Sequence, residues 1–447
     1  MRARAYEFWE LARSSFWFLP SLMMLVGLVL FAITITIDEL HLTGRFLHRV
    51  FYSGGPSNAT NLLQALTGAM VAIATVVFST MMVVLTLATS QFGHRLIRSF
   101  MRDRANQAVL GIFLATFVYC MLVFHMVGND PKNQFVPGVS ISVGFVLALF
   151  ATCTLIYFTH HMAELFSAPE VLETVGVEFD QAIHRMYPAA ESGEVIRDGD
   201  RAPELGSAAQ EIQAHDGGYV QAIGVEALLE IACNHDVVIE SRVSYGDYVL
   251  PGNVVARIHG AALDDEKAGH VIREYVLGRS RLTDHDLVFA INQMAEIAVR
   301  ALSPALNNPF TALDCVNRIG RSLAILIERP LPAEGVTDKS GEIRVVIRLP
   351  SFQDLLDAAF MPIRNYGRTS VITMREMLRV IAKLAPLTRR DEERRALARH
   401  AETILEAAGH GLCERVDLER IRASFADTRQ ALAAVGEMLP EAAKEGD

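Results

Sequence analysis

The sequence predicts a membrane α-helical domain of four transmembrane helices, followed by a cytoplasmic α+β region that ends in a helical subdomain. Three observations predict it. Four long apolar runs without Asp, Glu, Lys or Arg fall within the first 160 of 447 residues. Charge divides at the same place: up to His160 the chain holds 10 Lys+Arg and 6 Asp+Glu, whereas the remainder holds 31 and 45. Beyond it, the hydrophobic period alternates between that of strands and that of helices. The boundaries expected are 1–165 for the membrane domain, 166–212 for a coupling helix and linker, 213–350 for the α+β domain and 351–447 for the helical subdomain.

The spans are Phe16–Ile37, Asn61–Ser90, Ala108–Val127 and Val136–Thr159, of 22, 30, 20 and 24 residues. About 20 residues rising ~1.5 Å each cross a ~30 Å hydrocarbon core, so all four are long enough. The first follows Arg2, Arg4 and Arg13 but is too long for a signal peptide, and no small-x-small cleavage site follows it. It reads as an uncleaved anchor.

Orientation comes from the loops. Between spans two and three lie Arg95, Arg98, Arg102 and Arg104 against Asp103 alone, while the two loops on the other side hold Arg45, Arg49 and Lys132. The positive-inside rule then places the N-terminus and the loop after span two in the cytoplasm, and an even number of spans returns the C-terminal domain there. The four loop arginines, with Phe100 and Met101 beside them, form a candidate contact with anionic lipid. Cys120, Cys153, Cys233, Cys315 and Cys413 are odd in number and scattered, as in a reducing compartment, and show no metal-ligand spacing.

Span two carries a row of small and polar residues: Gln64, Gly68, Ala72, Thr75, Ser79, Thr86 and Ser90. Such spacings share one helix face. Span four has a shorter version in Ser140, Gly144, Ala148 and Thr152. Three readings compete for the row on span two. Small residues let helix backbones approach, with hydroxyls bonding across or back. An oligomeric pore places uncharged hydroxyls against water, where small ions pass without being trapped. A substrate pathway through one subunit lacks the intramembrane charge that coupling needs. Packing and pore are compatible if span two surrounds a symmetry axis. Gln64, Gly68, Thr75, Ser79, Thr86 and Ser90 are therefore the pore-lining candidates, and Asp38, Glu39 and Asp130, at the outer span ends, are outer-mouth candidates or ordinary loop charges.

His160, His161 and Glu164 close span four. Adjacent histidines diverge by about 100° on a helix, so membrane exit explains them better than a metal pair. Ser167 and Glu170 stand in capping-box positions with Pro169 in the first turn, and Leu172, Val175, Phe179 and Ile183 continue a coupling helix. Tyr187–Gln210 reads as a linker. Tyr219–Ile223 and Val237–Val243 read as strands around a helix at Ala227–Ala232. Residues 246–255, GDYVLPGNVV, resemble the hairpin of biotinyl and lipoyl carrier barrels, without a modifiable lysine, so no cofactor is expected.

Thr283 can cap a helix through Asp286, with Leu287, Ile291, Met294 and Ala298 on its apolar face, and Pro304 interrupts that helix. Asn308-Pro309 opens the next. In this segment Ser303, Asn307, Asn308 and Asp314 either line a polar pocket or serve turn chemistry. Residues 342–349 alternate as a half-buried strand, and helices follow from Ser351. Leu418, Ile421, Phe425, Thr428, Leu432, Val435 and Leu439 repeat at spacings of 3 and 4, which fits a coiled coil or packing in an antiparallel helical domain.

Residues 67–120 and the string ALSPALNNPFTALDC, residues 301–315, resemble a bacterial family of predicted inner-membrane proteins catalogued only as a domain of unknown function. The resemblance covers nearly the whole chain. It implies four spans and a cytoplasmic region in the bacterial inner membrane, and it supplies no reaction, ligand or site residue.

The function expected is a homo-oligomeric, channel-like inner-membrane protein with a regulatory or assembly domain. The alternative is a non-conducting sensor or scaffold that binds a ligand or protein through that domain. The acidic C-terminal part argues against nucleic acid as a partner. No nucleophile–base motif, P-loop, Rossmann glycine pattern or metal string is present, so neither catalytic nor metal residues are expected.

Overall fold

The computed structural model describes residues 17–40, 52, 54–92, 103–127, 135–165, 168–187, 205, 210–283, 285–330 and 335–438. The chain divides into two compact units, Met1–Ser167 and Ala168–Asp447.

The first unit contains four long apolar helices: α1 (Phe18–Glu39), α2 (Pro56–Phe92), α3 (Arg104–Met126) and α4 (Gly138–Leu165). Each is long and apolar enough to cross a membrane. The helix α2 begins five residues before the predicted span because Pro56 suits a first turn and Thr60 returns its hydroxyl to the Pro56 carbonyl at 2.9 Å. The centre is α3, which packs against the other three. It approaches α1 closely where Gly27 lies on Ala115; a methyl on Gly27 would stand 3.1 Å from the Ala115 carbonyl oxygen. Met70, Val77 and Met81 of α2 meet Phe113, Ala151 and Phe158 in the unit's core.

The second unit opens with α5 (Ala168–Met186). Ser167, its expected cap, lies outside the described residues, as does most of the expected linker. The next elements are β1 (Gln210–Gln213), β2 (Gly218–Ile223), α6 (Val225–His235), β3 (Val238–Ser241), β4 (Tyr248–Val249), β5 (Val254–His259), α7 (Asp265–Arg273) and β6 (Tyr275–Gly278). After α8 (Leu287–Ala301) and α9 (Pro309–Ile327), β7 (Gly335–Thr337) and β8 (Ile343–Val346) complete the sheets. One sheet runs β1-β5-β3-β8-β7, parallel only between β3 and β8; the other runs β4-β2-β6. Ile239, Ile258, Val220 and Val345 belong to the core they share with α6 and α7. The strands expected to form a hairpin, β4 and β5, are joined by a turn through Pro251 and Gly252, whose φ of +86° suits glycine. They do not pair: β4 pairs with β2 and β5 with β1 and β3, so the turn carries the chain from one sheet to the other.

Four helices finish the unit: α10 (Phe352–Gly367), α11 (Val371–Leu384), α12 (Asp391–Gly411) and α13 (Arg415–Met438). Ser351 and Asp354 form a capping box at the start of α10. The helix α8 begins at a different cap from the one expected: Asp286, not Thr283, accepts the Phe289 amide at 2.8 Å. Of the two readings for the 3–4 repeat of α13, packing within the chain accounts for it. Ile421, Thr428 and Leu432 are buried, and α13 packs on α11 and α12.

Candidate functional site

The candidate site is the outward face of α2. Its inward seam is Leu63, Met70, Val77 and Met81, all buried. At 100° per residue, Thr75 and Ser79 stand about 160° from Val77, on the opposite side. Gln64, Gly68, Thr75, Ser79 and Thr86 are all exposed on the isolated chain. The side chain of Ser90 lies outside the described residues. Thr75 and Thr86 return their hydroxyls to the carbonyls of Val71 and Met82, each at 2.8 Å. Among the described residues Ser79 makes no side-chain hydrogen bond. Val71, Phe78 and Met82 flank the row and are exposed with it.

The matching row of α4 behaves differently. Ser140, Gly144 and Ala148 are buried inside the unit. A methyl on Gly144 would stand 3.4 Å from the Tyr119 ring and 3.5 Å from the Cys120 sulfur, so this row exists for close packing on α3. Only Thr152, its last member, is exposed, with its hydroxyl on the Ala148 carbonyl at 2.9 Å. The two rows look alike as sequence. Among the described residues the α4 row, up to Ala148, packs within its own unit and the α2 row is exposed.

Asp38 is not a simple mouth charge. Its carboxylate accepts the amides of Val139 and Ser140, both at 2.9 Å, and the Ser140 hydroxyl at 2.7 Å. It therefore caps α4 from the end of α1, where a helix N-terminus favours negative charge. Beneath it the buried Tyr119 hydroxyl donates to the Ser140 carbonyl at 3.0 Å and meets the Thr34 hydroxyl at 2.9 Å. Glu39 is exposed; Asp130 lies outside the described residues. At the other end of α4, His161 lies 2.8 Å from Asp103, which also caps α3 by accepting the Ala105 and Asn106 amides. Of the four lipid-contact candidates, Arg104 is exposed in the first turn of α3, and Arg95, Arg98 and Arg102 lie outside the described residues.

In the second unit, Ser303, Asn307, Asn308 and Asp314 sit around the α8–α9 turn. The Ser303 carbonyl accepts the Leu306 and Asn307 amides, Asn307 takes a φ of +43°, and the Asn308 side chain caps Thr311 at 3.3 Å. Asn307, Asn308 and Asp314 are exposed. Turn and cap geometry thus occupies the first three, and Asp314 points outward from α9.

A cluster absent from the sequence reading lies where α5 meets α9. Arg318, 8 % exposed, bonds Asp180 at 2.7 Å, Glu173 at 3.2 Å and Ser322 at 2.8 Å. Two signals point to it: an arginine among the buried positions of α9, and a Glu-x-x-Gly-x-x-x-Asp face on α5. Among the described residues no group of three His, Cys, Asp or Glu side chains is arranged to hold a metal ion.

A model of the DUF2254 family, described as predicted membrane proteins, matches residues 13–383. Uncharacterized proteins of Mycobacterium bovis and of Mycobacterium tuberculosis strain H37Rv are each 27 % identical to this chain over 431 residues. Those alignments cover 95 % of this chain and 82 % of each relative. No solved structure matches the chain.

Proposed function

The chain belongs to the DUF2254 family of predicted membrane proteins, and from that premise we propose that it works as a homo-oligomer in the bacterial inner membrane. In this reading α2 faces its symmetry mates and borders a channel-like path for small ions. The single observation that carries it is the outward row on α2. A membrane helix facing only acyl chains gains nothing from Gly68, Thr75 and Ser79, whereas small residues let neighbouring helices approach and hydroxyls tolerate water. The contrast with α4, whose small residues are consumed by packing within the chain, supports the same reading. The N-terminus and second unit are cytoplasmic in this proposal, on the basic-loop asymmetry, and the second unit regulates or assembles the oligomer.

Disulfide cross-linking tests the assembly. Single cysteines are placed in a cysteine-free background, since the exposed Cys153 of α4 would otherwise react. Cysteines at Gly68, Thr75 and Ser79 are expected to give covalent dimers in native membranes, and those at the inward Met70 and Val77 to give none. Planar-bilayer recording of the purified protein is expected to show ion currents that Ser79→Trp alters. Cross-linking without current across salts, pH and tension favours the non-conducting sensor or scaffold. Failure of every outward position to cross-link removes the oligomer.

A further inference from the structure

The second unit has a half-open cavity of about 590 Å³ that the channel reading does not use. Small-molecule sites fall within ~300–1,000 Å³. Three segments meet around it. Tyr187, just beyond α5, closes one side; the connector from β8 into α10 supplies Leu349 and Phe352; and the first turns of α12 supply Arg390, Arg395 and Arg399.

These arginines are not equivalent. Arg390 is committed to the wall: it pairs with Glu393 and donates to the Arg329 carbonyl at 2.9 Å. Glu393 is buried and also accepts the Arg389 and Arg390 amides, so its charge is spent inside the protein. Arg395 and Arg399 are exposed and four residues apart, on one face of α12. Arg395 has a single long bond, 3.4 Å to the Asp391 carbonyl, and among the described residues Arg399 pairs with nothing. Like charges at this spacing destabilise a helix unless something lies between them. Glu392 also lines the cavity and offsets one of the two charges. The first-turn amides of α10, at Phe352 and Gln353, have no acceptor inside their own helix, and both residues line the same cavity. Leu349, Phe352 and the buried Ala396 give it an apolar wall.

We infer that this cavity binds a small organic anion, an oxyanion group held by Arg395 and Arg399 with its apolar body against Leu349, Phe352 and Ala396. Guanidinium forks match the oxygens of carboxylate and phosphate, the chemistry the two headgroups share. The inference is independent of the channel reading and holds for a monomer or an oligomer. Its occupant would touch the anchored end of α5, the helix that follows the last span in sequence. There the Tyr187 hydroxyl donates to the Pro350 carbonyl at 2.7 Å, and the Tyr187 carbonyl accepts from Arg329 at 2.8 Å.

The test is isothermal titration of the full chain in detergent with phenyl phosphate, benzoate, phenol and inorganic phosphate. Saturable one-to-one binding of phenyl phosphate or benzoate is expected, and the tighter of the two identifies the headgroup class. Arg395→Gln and Arg399→Gln should each weaken it about tenfold or more, one charged hydrogen bond's worth, at an unchanged unfolding midpoint. Three results overturn the inference. One is no saturable binding of any probe by the folded chain up to ~10 mM, a concentration that would reveal even millimolar affinity. Another is binding that the double variant leaves unchanged. The third is inorganic phosphate or phenol binding as tightly as the organic anions.

Discussion

Arg318 shows how one residue's place depends on another's absence of side chain. A methyl on Gly176 would collide with the Arg318 guanidinium, so the glycine leaves room for it to lie across α5 between Glu173 and Asp180. Removing one partner of a buried pair leaves the other charge uncompensated, at about 3–5 kcal/mol. Asp180→Ala is therefore expected to lower the unfolding midpoint of the full chain markedly. Gly176→Ala should lower it too by displacing the guanidinium, whereas Glu173→Ala, at a half-exposed carboxylate, should matter little. Thermal denaturation followed by circular dichroism distinguishes the three.

His400 gives a pH-dependent prediction at the same scale. Its Nε2 lies 2.7 Å from Asp357, and the Phe360 ring meets it edge-on at 6.0 Å. Burial pushes the imidazole below its ordinary pKa; Asp357 opposes that, while Arg364 and Arg399 reinforce it. The folded chain therefore binds this proton less readily than the unfolded one. Its neutral form stabilises the fold above the unfolded value of ~6.5, and that contribution is lost as pH falls below it. The slope is at most about 1.4 kcal/mol per pH unit for one group. The unfolding midpoint should fall between pH 7 and about 5.5, and His400→Gln should flatten this part of the profile. An unchanged profile in the variant would assign the slope to other groups.

Among the elements, α4 is clipped at both ends by aspartates from other helices. Asp38 caps its first turn and Asp103 meets His161 near its last. Side-chain caps of this kind are worth about 0.5–2 kcal/mol, so Asp38→Ala should lower the detergent stability of the protein. Asp38→Asn should recover part of the loss, because the amide oxygen still accepts a backbone N–H. Thermal aggregation followed by size-exclusion chromatography measures both. The pairing was hidden in the sequence because Asp38 and Ser140 are 102 residues apart. Neither span reveals which partner it meets. Similarly, no periodicity argument separates the row of α2 from that of α4. Period reports that residues share a face and says nothing about which neighbour covers it.

For the whole molecule, the two units divide along the charge and hydropathy break after residue 160. Among the described residues the outward face of α2 is exposed, and the proposed assembly would cover it. Mass measurement in nanodiscs is expected to give a defined oligomer larger than a monomer, and bulky Ser79→Trp to shift its distribution or its current. A monomer at all protein-to-lipid ratios would refute the assembly.

The amino-acid sequence by itself determined the four spans and, in the second unit, the starts of α9 at Asn308-Pro309 and of α10 at Ser351. These follow from local physics: charge is expelled from hydrocarbon, hydrophobic period matches helix or strand, and caps satisfy free amides. The turn between β4 and β5 was legible through Pro251-Gly252, but not that the two strands join different sheets; the α8–α9 break was legible through Pro304 and the Asn308-Pro309 pair. Only the tertiary structure decided that Asp286 rather than Thr283 caps α8, that Asp38 closes α4, that Arg318 joins α9 to α5, and that Arg395 and Arg399 border a cavity. Each of these depends on which distant segment lies opposite, and that choice is made by packing the whole chain at once.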